Sequence, residues 1–470
     1  MKQLKLVALS MSMFGFISCP VFADTSATDM QAQPQAQATV KHKHHHKVKH
    51  HHAAHHASSM RAMTAMPVQP VMVVETPKID TYQNVMDRME QNLGRAKPMA
   101  DWFNRVGLSG GINADAHWGN RSMGFNGENV ARLSVNDAYL NLNAHVNDCV
   151  KAFLGLSFAN PSATLTGAPA TAAAFVPGVT YPKPGQYSNV YANNALRIEQ
   201  AYITFGMYDN VPCFPVYFEI GKQFQDFGRY VIHPLVRSFT QVMSESLQTD
   251  AKVGFLIPAG LHGDVYAFQD PMTKVGKGHT GTIWGAGLGW DRLSEDLGFG
   301  IGVSYMSNLT GVGDIANSIG RSNGSSIVGV GTYVHTVGGI AVYGDVNSGP
   351  FSLSARYTTA IQKFNPADLS TTYFVAAGNG ASPWTGDLTA AYGFMGWNHN
   401  QNVYVGYQVS NNAVNLFLPK NRWLVGYGIE AYKNTNLGLE WDHDTDYSSK
   451  NGASGKTPNT LGARVAVKFG

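Results

Sequence analysis

From Val106 onward, apolar and polar residues alternate one by one. Leu108, Gly110, Ile112, Ala114, Ala116 and Trp118 interleave with Ser109, Gly111, Asn113, Asp115 and His117, the period-two signature of a strand with one apolar and one polar face. Similar runs recur along the chain. They predict sixteen strands, near 107–118, 131–146, 151–160, 196–208, 215–228, 247–257, 261–270, 282–291, 297–307, 338–347, 351–363, 385–397, 402–411, 422–433, 437–446 and 459–470. The connections alternate in length. Short turns are expected at Asn147-Asp148, Asn210 to Pro212, Pro258 to Gly260, Ser294 to Asp296, Asn347 to Pro350, Asn398 to Asn400 and Asn434 to Asn436, with longer glycine-rich or polar stretches between them. Trp284, Trp290, Tyr305, Trp397, Tyr407, Trp423 and Trp441 sit toward the ends of apolar faces. Even strand number, alternating connections and terminal aromatics predict an all-β fold, a 16-stranded antiparallel transmembrane β-barrel of the bacterial outer membrane. Closure is a physical requirement, because an open edge would leave N–H and C=O groups facing lipid. A soluble β-sandwich seldom supplies sixteen strands of this kind.

The residues before the barrel divide into three. Lys2 and Lys5, the apolar stretch Leu6 to Ile17 and the small-residue site Val21-Phe22-Ala23 predict a signal peptide over 1–23. Lipidation at Cys19 is disfavoured by the poor match at Phe16-Ile17-Ser18 and by Pro20. Residues 24–78 read as a disordered periplasmic tail, first rich in Gln and Ala, then carrying nine histidines between Lys41 and His56, among them His44, His45, His46, His50, His51 and His52. Such imidazoles can hold divalent zinc, nickel or copper, although the interleaved lysines oppose a cation and a merely solvated basic linker is the alternative. Over 79–97, Ile79, Tyr82, Met86, Met89 and Leu93 form the stripe of a short amphipathic helix. That stripe suits packing on the barrel or a coiled coil in a homo-oligomer.

Composition narrows the classes further. Only 14% of the 470 residues are charged, while 50 are glycine, which argues against several ordinary soluble domains. Outside the leader there is no apolar run of the roughly 18 residues that a spanning helix needs. Removing the two leader lysines and the excess of three positive charges in residues 24–100 from the total of +3 leaves −2 for residues 101–470, which excludes a polycation for nucleic acid. No cofactor is implied. Cys149 and Cys213 are the cysteines of the exported chain and can form a disulfide. No local spacing singles out a catalytic triad, so the chain is not read as an enzyme.

The polar faces supply the candidate solute path. They carry Asp115, His117, Asp137, His145, Glu219, Asp250, Lys252, Asp264, Asp345, Arg356, Glu430, Glu440, Asp442, Arg464 and Lys468. Opposed charges in a wide barrel sort solutes by charge and size, whereas ion pairs that merely stiffen the wall are the alternative for any one of them. The basic members Lys252, Arg356, Arg464 and Lys468 are expected to hold an anionic chelate. The stretch Gly221 to Arg229 breaks strict alternation, so a bulge or loop entry is expected there, and the facing of Lys222, Arg229 and Arg237 is left open. The loop between Pro161 and Ala195 is the expected gate.

The run GKQFQDFGRY from Gly221 to Tyr230, then His233-Pro234, Leu247 to Phe255 and Gly263 to Phe268, resembles the siderophore porins typified by the legiobactin receptor of Legionella-type bacteria. The resemblance extends to the leader, the helix ahead of the barrel and the strand count. It implies passive uptake of a ferric siderophore or similar iron chelate without a plug domain, and few residues stand ahead of the first strand to build one. Expected partners are outer-membrane lipid and lipopolysaccharide and the iron chelate or another small solute. A general or substrate-selective porin, and a structural or adhesive barrel, are the alternatives.

Overall fold

The computed structural model describes residues 106–470 apart from 121–129, 148, 159–195, 209–210, 213–215, 230–234, 258, 293–296, 323–330, 373–378 and 452. The expected leader, tail, histidine run and 79–97 helix lie outside the described residues, as do the 161–195 loop, Cys213 and the side chain of Asp137.

All sixteen expected strands form, with ends within a few residues of the alternation. The first eight are β1 (Val106–Asn120), β2 (Val130–Asn147), β3 (Val150–Phe158), β4 (Leu196–Phe205), β5 (Val216–Phe224), β6 (Leu247–Leu256), β7 (Leu261–Gln269) and β8 (Thr282–Arg292). The rest are β9 (Gly298–Met306), β10 (Gly339–Ser348), β11 (Phe351–Ala360), β12 (Trp384–Gly396), β13 (His399–Asn411), β14 (Asn421–Tyr432), β15 (Thr435–Thr445) and β16 (Asn459–Phe469). Sequential strands pair antiparallel and β16 returns to β1, with Phe469 opposite Gly110 and Asn459 opposite Asn120, so the sheet closes. Short connections share one rim and long connections the other. The β12–β13 turn shows how tightly the short rim is made: Trp397 and Asn398 adopt φ of 52° and 60°, the paired left-handed geometry of a two-residue hairpin between Gly396 and His399.

The wall is buried inside out relative to a water-soluble domain. Outward residues are large and apolar yet exposed: Trp118 is 50% and Trp423 52% exposed, whereas the inward neighbours Asp115 and Arg422 are 2% and 8%. Aromatic pairs mark both ends of this outer face. Trp284 lies tilted against Tyr305 at 5.2 Å and Tyr407 against Trp423 at 4.6 Å toward the long-connection rim. Trp290 meets Phe299 edge-on at 4.9 Å and Phe351 meets Tyr392 at 4.8 Å toward the other. Six residues separate Trp284 from Trp290 along β8, or roughly 20 Å of strand, close to the height of the apolar band on membrane barrels.

Alternation alone did not foretell an apolar core, but one is present inside the barrel near the long connections. Phe227, Phe239 and Met243, from the 225–246 connection, meet Phe268 and Met306 of the wall and Leu309, Ile315 and Leu416 of other connections. Two helices contribute, α1 (Phe239–Ser244) and α2 (Gly313–Ser322). Ser238 caps α1 by accepting from the Gln241 amide at 3.2 Å. The described parts of the connections after β5, β7, β9, β11 and β13 therefore bury apolar side chains against one another, removing surface that would otherwise line the mouth.

Candidate functional site

The break in alternation after Gly221 is where the chain leaves the wall. β5 ends at Phe224 and β6 begins at Leu247; between them, the described residues 225–229 and 235–246 make contacts with the interior wall. The near end is pinned by charge. Asp226 accepts from Lys252 Nζ at 2.9 Å, and Lys252 also lies 3.6 Å from Glu219, which in turn accepts from Thr204 at 2.9 Å. Gly228, at φ 84°, donates its amide to Ser304 Oγ at 2.8 Å, a backbone geometry that favours glycine. Arg229 then spans β8 and β10. Its Nη2 donates to Asp291 Oδ2 at 2.8 Å, its Nη1 to Asp345 Oδ2 at 3.1 Å, and its guanidinium carbon lies 3.8 Å from the Tyr343 ring centre.

At the far end neutral donors meet a carboxylate of the wall, and two arginines add to the hold. The backbone amides of Leu235 and Val236 donate to Glu440 at 2.9 and 3.2 Å, and Tyr404 donates its hydroxyl to the same carboxylate at 2.7 Å. Gly426 makes room for that tyrosine, since a Cβ there would overlap the ring. Arg464 grips Asp115 with two 2.7 Å bonds and donates to the Leu235 carbonyl at 2.8 Å. The Thr240 amide donates to Asp387 Oδ2 at 3.1 Å, joined by the Thr240 hydroxyl. Arg237 closes on Glu245 at 2.9 Å and on Asp314 of α2 at 2.8 Å. Burial alone would lower the Arg237 pKa, but the Asp314 and Glu245 carboxylates outweigh it and hold the guanidinium above its ordinary range.

Most expected lining residues face inward, but as two groups. Glu219, Asp250, Lys252, Asp264, Asp345 and Arg356 gather about β5 to β11, and Asp115, His117, Glu440, Asp442 and Arg464 about β15, β16 and β1. Asp250 accepts from Gln223 at 3.0 Å, and Arg356 donates to Asp345 at 2.7 Å. Glu430 and Lys468 are half-buried near the short-connection rim, where Asn400 donates to Glu430 at 3.0 Å, and His145 is half-buried in β2. Asp137 pairs in register with Asn113 on β1. Lys222 is on the outward face, where it donates to the Ile198 carbonyl at 3.0 Å. Cys149 is disulfide-bonded, and its expected partner Cys213 lies outside the described residues.

Three of the four basic groups expected to await an anion already contact carboxylates, namely Lys252, Arg356 and Arg464. Several inward-facing charged side chains were missed. Asp291, Asp387, Arg422 and Asp444 all face inward, and Arg422 holds Asp444 with bonds of 2.7 and 3.0 Å. Alternation could have found them, because Asp387 shares its face with Thr385 and Thr389.

No protein-family model matches this chain. In sequence it is similar to a UPF0422 protein of Coxiella burnetii, 27% identical over 269 residues covering 57% of this chain and 55% of the relative. It is also similar to a UPF0422 protein of Legionella pneumophila strain Lens, 26% identical over 297 residues covering 59% of this chain and 54% of the relative. The chain spans about half the length of the curated relatives it matches. In fold it is similar to OprB of Pseudomonas putida, with a TM-score of 0.51 at 14% identity over 78% of this chain and 94% of that one. The outer membrane channel DcaP of Acinetobacter baumannii gives a TM-score of 0.47 at 14% identity over 77% and 97%. The closed sixteen-strand antiparallel barrel, together with the OprB likeness, defines a porin-type fold.

Proposed function

We propose that this protein is a passive outer-membrane channel for small polar solutes, and that a ferric siderophore or similar iron chelate is among them. The observation that carries the channel reading is the inverted burial of a closed barrel: an exposed apolar belt with aromatic ends outside, and a charged interior inside. Lipid solvates such an exterior, and water and solute suit such an interior. The closed porin-type barrel and its likeness to OprB support a bacterial outer membrane as its setting. The iron-chelate reading rests on the resemblance carried by residues 221–268, the stretch that includes the connection between β5 and β6.

Refolded protein in planar bilayers should give discrete conductance steps, and a ferric siderophore added on one side should interrupt them. A strain without the protein should take up its own ferric siderophore poorly while small neutral sugars pass nearly as before. Normal chelate uptake with reduced general permeability would replace the iron reading by a general porin. Absence of steps would remove the channel itself.

A further inference from the structure

The charges of the interior do not balance. Among the described residues, Arg229, Arg237, Lys252, Arg356, Arg422 and Arg464 each have a carboxylate oxygen at 2.7–2.9 Å. The acidic side has members left over. Asp250 on β6, Asp264 on β7, Asp387 on β12 and Asp442 on β15 are all at most 8% exposed, none is in an ion pair, and each keeps one buried oxygen with no hydrogen bond at all. Glu440 is served by neutral donors alone. In the ring of sixteen strands β7 and β15 are separated by eight, so the surplus negative charge of β6–β7 faces that of β15 across the barrel. Cations stand nearby, with Arg356 in register beside Asp387 on the next strand, but they are fewer than the carboxylates and each is already in contact with another one, so the interior as a whole favours positive charge.

One stretch of wall adds recognition to this field. Asp387 pairs in register with Gln408 on β13, and Thr385 and Thr389 flank it on the same face. Gln408 and Thr385 are 0% and Thr389 2% exposed, yet neither carboxamide atom of Gln408 and neither threonine hydroxyl has a partner. Thr240 of α1 occupies only one oxygen of Asp387. Buried polar groups in native proteins are nearly always satisfied, by water or ligand where the protein itself supplies no partner. Here the acceptors Asp387 Oδ1, Gln408 Oε1 and the two hydroxyl oxygens share the inward face of two adjacent strands, with Arg356 in register beside Asp387 and Arg422 beside Gln408, and both arginines are already bonded to other carboxylates. The acceptors left over suit a positively charged group with several N–H donors.

We infer that the channel selects cations, and that Asp387, Gln408, Thr385 and Thr389 form a subsite for an ammonium- or guanidinium-bearing solute where α1 meets the β12–β13 wall. The inference rests on the channel reading and sharpens it: an iron chelate with amine arms passes, and one with free carboxylate arms is held back. The inference runs opposite to capture of an anionic chelate by basic residues, since Lys252, Arg356 and Arg464 already contact carboxylates.

Reversal potentials across a bilayer with a salt gradient test this on the full chain. Potassium should permeate over chloride by about threefold or more at neutral pH. Asp387→Asn and Asp442→Asn together should bring the ratio toward unity; heat-modifiable migration on gels verifies that both variants form the barrel. In proteoliposome swelling, arginine should enter faster than glutamate, and Asp387→Asn should narrow that gap. Conductance steps with no preference, or with chloride preferred, overturn the inference while leaving the channel in place. Equal entry of arginine and glutamate overturns the subsite. If the paired variant folds poorly, the sign of the wild-type potential still decides. No steps at all would remove the channel reading and this one with it.

Discussion

The two ends of the connection between β5 and β6 are fastened by different chemistry. At the near end a cation is the fastener, Arg229 shared between Asp291 and Asp345, with Lys252 on Asp226 behind it. At the far end a carboxylate of the wall receives uncharged donors, the Leu235 and Val236 amides and the Tyr404 hydroxyl on Glu440. A buried ion pair is costly to create and costlier to break on one side, because the surviving charge stays buried alone. A carboxylate fed by neutral donors loses them one at a time. The contact of Leu235 and Val236 with Glu440 is therefore expected to loosen before the Arg229 contact does, although Arg464 on the Leu235 carbonyl and Arg237 on Glu245 and Asp314 hold the rest of that end.

The largest effect should come from breaking the cationic end. Arg229→Met removes one cation from between two buried carboxylates, a loss of about 3–5 kcal/mol by analogy with other broken buried pairs. Amide exchange of residues 225–229 should then rise by roughly two or more powers of ten, while the strand ladders of the wall stay protected. Unchanged exchange there would show that the apolar packing of Phe227 alone holds the segment, and the contrast between the ends would vanish.

The far end should respond more mildly. Glu440→Gln keeps an oxygen for one amide and for Tyr404 but presents an NH2 to the other amide, a loss of about 1–3 kcal/mol. Exchange should quicken for Leu235 and Val236 by roughly tenfold and leave residues 225–229 nearly untouched. Single-channel records of this variant should show added flicker between conductance levels. Equal loosening of both halves would mean that the segment moves as one body.

How much of this was legible in the sequence follows from the range of the forces involved. The wall was readable almost residue by residue, because lipid outside and charge inside impose period two on every strand, and β12 begins at Trp384 and β9 ends at Met306 within a residue of expectation. The connection between β5 and β6 was readable only as a disturbance of that period. What fixes it lies far away in the chain: Arg229 meets Asp345 across 116 residues and Leu235 meets Glu440 across 205. Nothing local in Gly228-Arg229 announces Asp291 or Asp345. Likewise Lys252 looked available to a solute from its own strand, and only the arrival of Asp226 from the neighbouring connection shows it to be engaged.

The smallest effect tests whether carboxylates fed by neutral donors behave alike elsewhere in the molecule. Asp270, in the connection after β7, accepts from Asn308 Nδ2 at 3.0 Å, Thr310 Oγ1 at 3.0 Å and the Tyr333 hydroxyl at 2.9 Å, tying two long connections together over the mouth. Burial, and then the Asp270 carboxylate itself, push the Tyr333 hydroxyl from its ordinary 10.0 up to about 12. For a group whose folded value is raised, the stabilisation is complete below the unfolded value and disappears as the pH climbs through the folded one. The tie should thus hold up to about pH 10 and fail as the pH passes through about 12. Tyr333→Phe removes the donor at every pH, so the alkaline loosening of residues 270–281 and 331–338, followed by limited proteolysis, should be present in the wild type and absent as a separate step in the variant. A step at the same pH in both proteins would assign it to another group and detach the mouth from the pattern seen at Glu440.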